Sequence, residues 1–202
     1  MSKMNNYKDI EVALSHEFWC CQREFESFVH HAVLLFSMDN EKNVRIQAFT
    51  AYGNFIRHLY TFYEGMIKYR NANLLDGAKG QAIGKKISKL MNEEVKKLIR
   101  NKALVYNSSP ELDSREMMNL VESEVPEQFG TDFRQMRNRF SHAATSRINR
   151  KEVTLSDFYN RYHRYMMLLY QTCSFTWNIE KVDQYDWLEI DNFLKVIKSN
   201  PI

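Results

Sequence analysis

Helix breakers are almost absent from the first third of this chain, and that scarcity limits what it can fold into. The runs 7–38 and 41–71 hold no proline, and glycine enters only at Gly53 and Gly65. Without breakers, the period of the apolar residues decides the structure. In the first run Ile10, Leu14, Phe18, Cys21, Phe25, Phe28, Ala32 and Leu35 recur at steps of three and four. In the second, Val44, Ala48, Tyr52, Phe55, Ile56, Leu59, Phe62, Tyr63, Met66 and Ile67 do the same. Both stripes predict long amphipathic helices. Ser37-Met38-Asp39-Asn40 reads as the turn between them, with Asp39 or Asn40 as the cap of the second. A short turn between two long helices predicts an antiparallel hairpin over 7–71. Gly53 and Gly65 lower helix propensity, and close approach of a neighbouring helix is the expected reason.

Further along, Gly77, Gly80 and Gly84 mark a loop over 73–84, followed by a lysine-rich helix over 81–102. Tyr106–Leu112 reads as a second loop. Asp113–Glu116 has capping-box spacing for a short helix that Pro126 ends. Thr154-Leu155-Ser156-Asp157 is another such box. It opens an aromatic helix to about Asn178, and a last helix is expected over 187–198. No repeat and no extended strand pattern is present. The reading is all-α: one domain over 1–202, an up-and-down helical bundle of about five main helices with short extra ones. A hydrophobic fraction of 44% and charged fraction of 26% in 202 residues fit a globular chain with a sizeable core.

Composition excludes several classes. Cys20, Cys21 and Cys173 are odd in number and lack Cys-x-x-Cys spacing, so neither a disulfide framework nor a zinc site is expected. Reduced thiols and an N-terminus without an apolar run lead to the expectation of a cytoplasmic protein with no signal peptide. No run approaches the ~18 apolar residues of a membrane span. The net charge of +3 is mild, so any nucleic-acid binding must come from how the charge is distributed. His30-His31 diverge on a helix and make a poor chelate. There is no His-Glu-x-x-His, no phosphate-cradling glycine loop and no nucleophile elbow. No metal or cofactor is expected.

The stretch Asp132–Ala144 carries the chemistry, on a helix expected over 131–144. At about 100° per residue, Phe133, Met136, Phe140, Ala143 and Ala144 share one arc and should face the core. Arg134, Asn138 and His142 repeat every four residues beside it, with Arg137 and Ser141 between. Guanidinium groups fork onto phosphate oxygens, and imidazole exchanges protons near neutral pH. Phe133–Lys151 holds six Lys or Arg and no acid. With the lysines of 85–102 this makes either a phosphate-binding groove or two solvated faces, depending on whether the stretches meet. Ser141 either offers its hydroxyl to a phosphate or bonds back to the Arg137 carbonyl. Arg137 and His142 lie five positions apart, about 140° and about 7.5 Å along an ideal helix. They cooperate only if the arginine wraps round, the helix distorts, or a second subunit supplies the partner group.

Arg137-Asn138-Arg139-Phe140-Ser141-His142, an Arg and a His separated by four residues, resembles the signature of HEPN domains. These are helical proteins that include many prokaryotic ribonuclease toxins and defence proteins. The resemblance implies a motif on a late helix of a small bundle. It also implies a homodimer whose two motifs form one RNA-cleaving cleft, and cleavage without metal, leaving a 2′,3′-cyclic phosphate. Arg137, Asn138 and His142 would then be catalytic: His142 as base or acid, Arg137 on the phosphorane, Asn138 on the imidazole or phosphate. Arg134, Arg139 and Ser141 would bind RNA. Glu64 is the counterpart of an acidic residue that some members carry on an earlier helix. Partners would be RNA and an antitoxin or regulatory protein, with no membrane. Ala144 stands where some of these toxins carry a tyrosine modified by their antitoxin, so control by that route is not expected. The other reading is a non-catalytic HEPN-like helical module that binds a protein or nucleotide partner.

Overall fold

The computed structural model describes residues 3–37, 41–108, 124–141, 153–176 and 188–199. Its elements are α1 (Lys3–Ser37), α2 (Lys42–Arg70), α3 (Ala72–Leu75), α4 (Gln81–Ser108), α5 (Phe129–Ser141), α6 (Leu155–Thr176) and α7 (Leu188–Ser199). No strand occurs among the described residues. The chain is an all-α helical bundle, and none of its described helices is long and apolar enough to cross a membrane.

α1 and α2 form the expected antiparallel hairpin. Partners rise along one helix as they fall along the other: Phe18 with Phe62, Phe25 with Phe55, Phe28 with Tyr52, at ring-centroid separations of 5.6, 5.1 and 4.7 Å. Phe18, Phe55, Ile56 and Leu59 are fully buried in this seam. Each such side chain contributes about 1.5–3 kcal/mol by leaving water. α5 lies across α2 and α4, and α6 packs on α2, α4 and α5. α7 has no buried residue.

The glycines locate the closest approaches. A Cβ on Gly65 would stand 2.8 Å from Leu14 Cδ2 of α1, as a tight hairpin requires. Gly53 serves a different neighbour: its missing side chain leaves room for the Phe140 ring of α5, not for α1.

Several boundaries move. α4 continues to Ser108 where a loop was expected, because nothing between Lys102 and Pro110 breaks a helix. Within the expected 73–84 loop, α3 adds one turn, while α4 starts at Gln81 as expected and takes Gly84 into the helix. The turn between them rests on Gly77 and Gly80, at φ of +69° and +54°. The cap of α2 is Glu41, which makes no side-chain cap bond; Asp39 and Asn40 lie outside the described residues, as do the box at 113–116 and most of its helix. The box at 154–157 forms. Thr154 Oγ1 accepts from Asp157 N at 3.1 Å, and Asp157 Oδ2 accepts from Thr154 N at 3.3 Å and Thr154 Oγ1 at 2.6 Å. These bonds to Thr154 hold the Asp157 carboxyl below its usual range.

Candidate functional site

The motif helix α5 is fixed by its apolar arc. Phe129, Phe133, Met136 and Phe140 are buried, and Phe133 meets Tyr60 of α2 edge-on at 5.1 Å. Its first turn is tied to α4. Gly130 N donates to Asn92 Oδ1 at 2.7 Å, and Asn92 Nδ2 donates to the Glu127 carbonyl at 2.6 Å. Asp132 is buried in that turn, where a helix N-terminus favours a carboxylate. The Tyr162 hydroxyl of α6 donates to Asp132 Oδ2 at 2.8 Å. Burial first, and then this bond, push the Tyr162 phenol up to about 12.

Arg137 leaves α5 and crosses the Tyr60 ring of α2 with its guanidinium carbon 5.0 Å from the centroid. Its Nη2 reaches Glu64 Oε2 at 2.8 Å. Lys68 Nζ, one turn further along α2, meets the other carboxylate oxygen at 2.8 Å. The Arg137 and Glu64 side chains are 27% and 15% exposed, so the pair is shielded without being sealed. Arg137 and Glu64 were singled out separately in the sequence, and the fold brings them into contact.

Orphan polar atoms surround this contact. The buried Tyr60 hydroxyl and the Nε atoms of Arg134 and Arg137 have no well-formed hydrogen-bond partner. Burial pushes the Tyr60 phenol up to about 12, and Glu64 raises it further against the pull of Arg137 and Arg134. Arg134 runs over Gly84 of α4, so close that a Cβ there would collide with its guanidinium. The lysine-rich helix and the motif helix therefore do meet, at Gly84 with Arg134 and at Ser88 with Gly130. Of the nearby lysines, Lys86 Nζ donates to the Leu74 carbonyl at 2.9 Å.

The other candidates fall in different places. Arg139 Nη1 donates to the Val153 carbonyl at 2.9 Å, joining α5 to the start of α6. Ser141 Oγ donates to the Arg137 carbonyl at 2.9 Å, the second of its two expected roles. Asn138 is half-buried. His142, Arg147, Arg150 and Lys151 lie outside the described residues.

Tyr60 is not picked out from the sequence, and Gly84 is read there only as a loop marker, whereas it lies inside α4 against Arg134. Tyr60 precedes Glu64 by four residues, as Glu64 precedes Lys68, and that spacing was the available signal. A His–carboxylate pair that the spacing does not show joins α1 and α2: His58 Nδ1 and Glu17 Oε1 are 2.7 Å apart, and Arg57 Nη2 lies 2.7 Å from His58 Nε2. An arginine can only donate, so Nε2 accepts from Arg57, and the His58–Glu17 contact straps α1 to α2.

No known protein family, curated protein or solved structure matches this chain.

Proposed function

We propose that this chain is a metal-independent endoribonuclease of the HEPN type, acting in the cytoplasm as a toxin or defence effector. The observation that supports this reading best is Arg137. It is anchored through one guanidinium nitrogen to Glu64, oriented on the Tyr60 ring, and still partly open to solvent. A guanidinium has five donors, so binding Glu64 leaves others for a phosphate. The ribose 2′-oxygen attacks phosphorus and the bond to the 5′-oxygen breaks. One proton leaves the 2′-hydroxyl for a base and another reaches the departing 5′-oxygen from an acid. His142 supplies one of these transfers, Asn138 orients the imidazole or the phosphate, and Arg137 neutralises the phosphorane. Arg134, Arg139 and Ser141 hold flanking RNA. One motif offers too few groups for both proton transfers, so the active form is a homodimer with the motif helices facing. RNA is the substrate, and an antitoxin or regulatory protein is the controlling partner.

The test is purified protein with RNA in EDTA. We expect cyclic-phosphate ends that vanish in Arg137→Ala, and host growth that recovers with His142→Ala. Wild type and His142→Ala that restrict growth equally, with no cleavage in vitro, reject the enzyme. A monomer by light scattering at working concentration rejects the composite site.

One observation favours the second reading, a non-catalytic module that binds a protein or nucleotide. Arg139 and Ser141 both donate to backbone carbonyls, which gives two of the motif's polar groups a structural use.

A further inference from the structure

Two adjoining cavities lie on the exposed side of α6, away from Arg137 and Glu64. The first, about 270 Å³, is an aromatic slot whose walls are Phe28, Phe49, Tyr52 and Tyr159, with Ser156 and Asn160 as polar groups among them. Phe49 packs on Phe140 at 5.6 Å, so the slot lies beside the C-terminal end of α5. The second, about 640 Å³, is a cup lined by Arg161, His163, Arg164 and Gln128, and it shares Tyr159 and Asn160 with the slot. No acidic residue lines either cavity among the described residues.

The wall between them is rigid. Tyr159 stacks on His163 at 4.2 Å and 15°. The His163 Nδ1 shares a 2.9 Å hydrogen bond with the Tyr52 hydroxyl. Burial holds the His163 imidazole below its usual range, so at neutral pH the fixed charge of the cup belongs to the two arginines. Both are exposed: Arg164 Nη2 donates to the Tyr165 hydroxyl at 3.0 Å with its guanidinium carbon 4.8 Å from that ring's centroid, and Arg161 lies beside Tyr162 and Asp157. Phe49 and Tyr159 are 46% and 38% exposed.

An aromatic slot with edge-reading polar groups, opening onto an arginine pair, matches one ligand chemistry: a planar heterocycle joined to an anion. We propose that the two cavities form a single nucleotide-binding site, in which the slot takes a nucleobase and the cup takes its phosphate. Ser156 and Asn160 face the base edge, Tyr159 stacks on the base, and Arg161 with Arg164 forks onto phosphate oxygens. The site uses none of the motif residues and stands apart from the cleavage reading.

The experiment is calorimetric titration of the full chain, in EDTA, with the four nucleoside 5′-monophosphates, the corresponding nucleosides and inorganic phosphate. At least one monophosphate should bind about tenfold or more tightly than both its nucleoside and inorganic phosphate. Arg161→Gln combined with Arg164→Gln should weaken it about tenfold or more, and Tyr159→Leu by a similar factor. These three side chains are exposed, and helical circular dichroism checks that each variant is folded. A short oligoribonucleotide forms the second arm. If it binds more tightly than the monophosphate and responds to the same variants, the site belongs to an RNA strand; equal affinity assigns a free nucleotide. The proposal fails if no monophosphate and no oligonucleotide binds better than inorganic phosphate, or if binding is unchanged in both variants. Titration of Arg137→Ala separates the two readings, because loss of cleavage there should leave this binding intact.

Discussion

At Arg137 one side chain meets a carboxylate, an aromatic face and solvent together, and the balance among them sets both its strength and its use. Exposed ion pairs contribute about 0.2–1 kcal/mol, whereas breaking a buried pair costs about 3–5 kcal/mol. At 27% and 15% exposure the Arg137–Glu64 pair falls between these limits. A double-mutant cycle of Arg137→Gln and Glu64→Gln, followed by urea unfolding, should give a coupling of about 1–2 kcal/mol. Lys68→Gln should cost under about 0.5 kcal/mol, since that partner is 49% exposed and lies one turn away on the same helix. A coupling near zero would mean that the contact orients nothing, and the proposed anchoring of the guanidinium would fall with it. Tyr60 gives the complementary case. Its hydroxyl is buried, and its bond to Arg137 is poorly formed, so it adds little to stability. Tyr60→Phe keeps the ring under Arg137 and should change thermal stability by less than about 1 kcal/mol. Of this constellation, Arg137 was legible from its spacing to His142, and Glu64 only through the family resemblance. For Tyr60 only the four-residue spacing to Glu64 was legible, because a tyrosine in an aromatic-rich helix reads as core until its neighbours across the seam are known.

At the level of elements, glycines record which helix faces which, and they do so asymmetrically. A Cβ on Gly130 would run into the backbone carbonyl of Ser88 and approach Asn92, whose side chain already holds the first turn of α5. Backbone on both sides of a contact cannot yield by rotating a bond. Overpacking there should cost about 1–3 kcal/mol or more, beyond the about 1 kcal/mol that alanine returns in helix propensity. At Gly65 the obstacle is the end of the Leu14 side chain, which can change rotamer. Gly130→Ala should therefore lower the urea midpoint clearly, and Gly65→Ala should leave it nearly unchanged. Equal midpoints for the two variants would show that α5 is not clamped onto α4. Helix existence was readable from period and breakers, as the α1–α2 hairpin and the 154–157 box illustrate. Which helix Gly53 accommodates was not, because period tells that a face is covered but not by whom: its partner is Phe140, some ninety positions away by number. The run of α4 to Ser108 was readable in principle, since the loop expected over Tyr106–Leu112 rests on Ser108-Ser109-Pro110, and nothing before Pro110 breaks a helix.

At the scale of the whole molecule, tyrosine hydroxyls set in an aromatic core couple stability to alkaline pH. Burial pushes Tyr60, Tyr162 and Tyr170 up to about 12, and raises Tyr52 and Tyr63 as well. Three of these phenols tie helices together: Tyr63 donates to the Leu169 carbonyl at 2.9 Å, Tyr162 donates to Asp132, and Tyr52 shares its bond with His163 Nδ1. An unfolded phenol loses its proton near pH 10, so above that value the unfolded chain binds fewer protons than the folded one. Stability then falls as pH rises, by linkage, and each raised phenol adds to the slope. Below pH 10 both states keep these protons, and this set contributes no pH dependence. A titration that follows tyrosinate absorbance and helical circular dichroism together should resolve two waves. Accessible phenols should ionise near their ordinary value with the helices intact, and the buried set should ionise later, together with the loss of helix. All 11 tyrosines ionising in one early wave over an intact helical signal would mean that this core admits water. The bundle that positions Arg137 and the α6 cavities would then be looser than its packing implies.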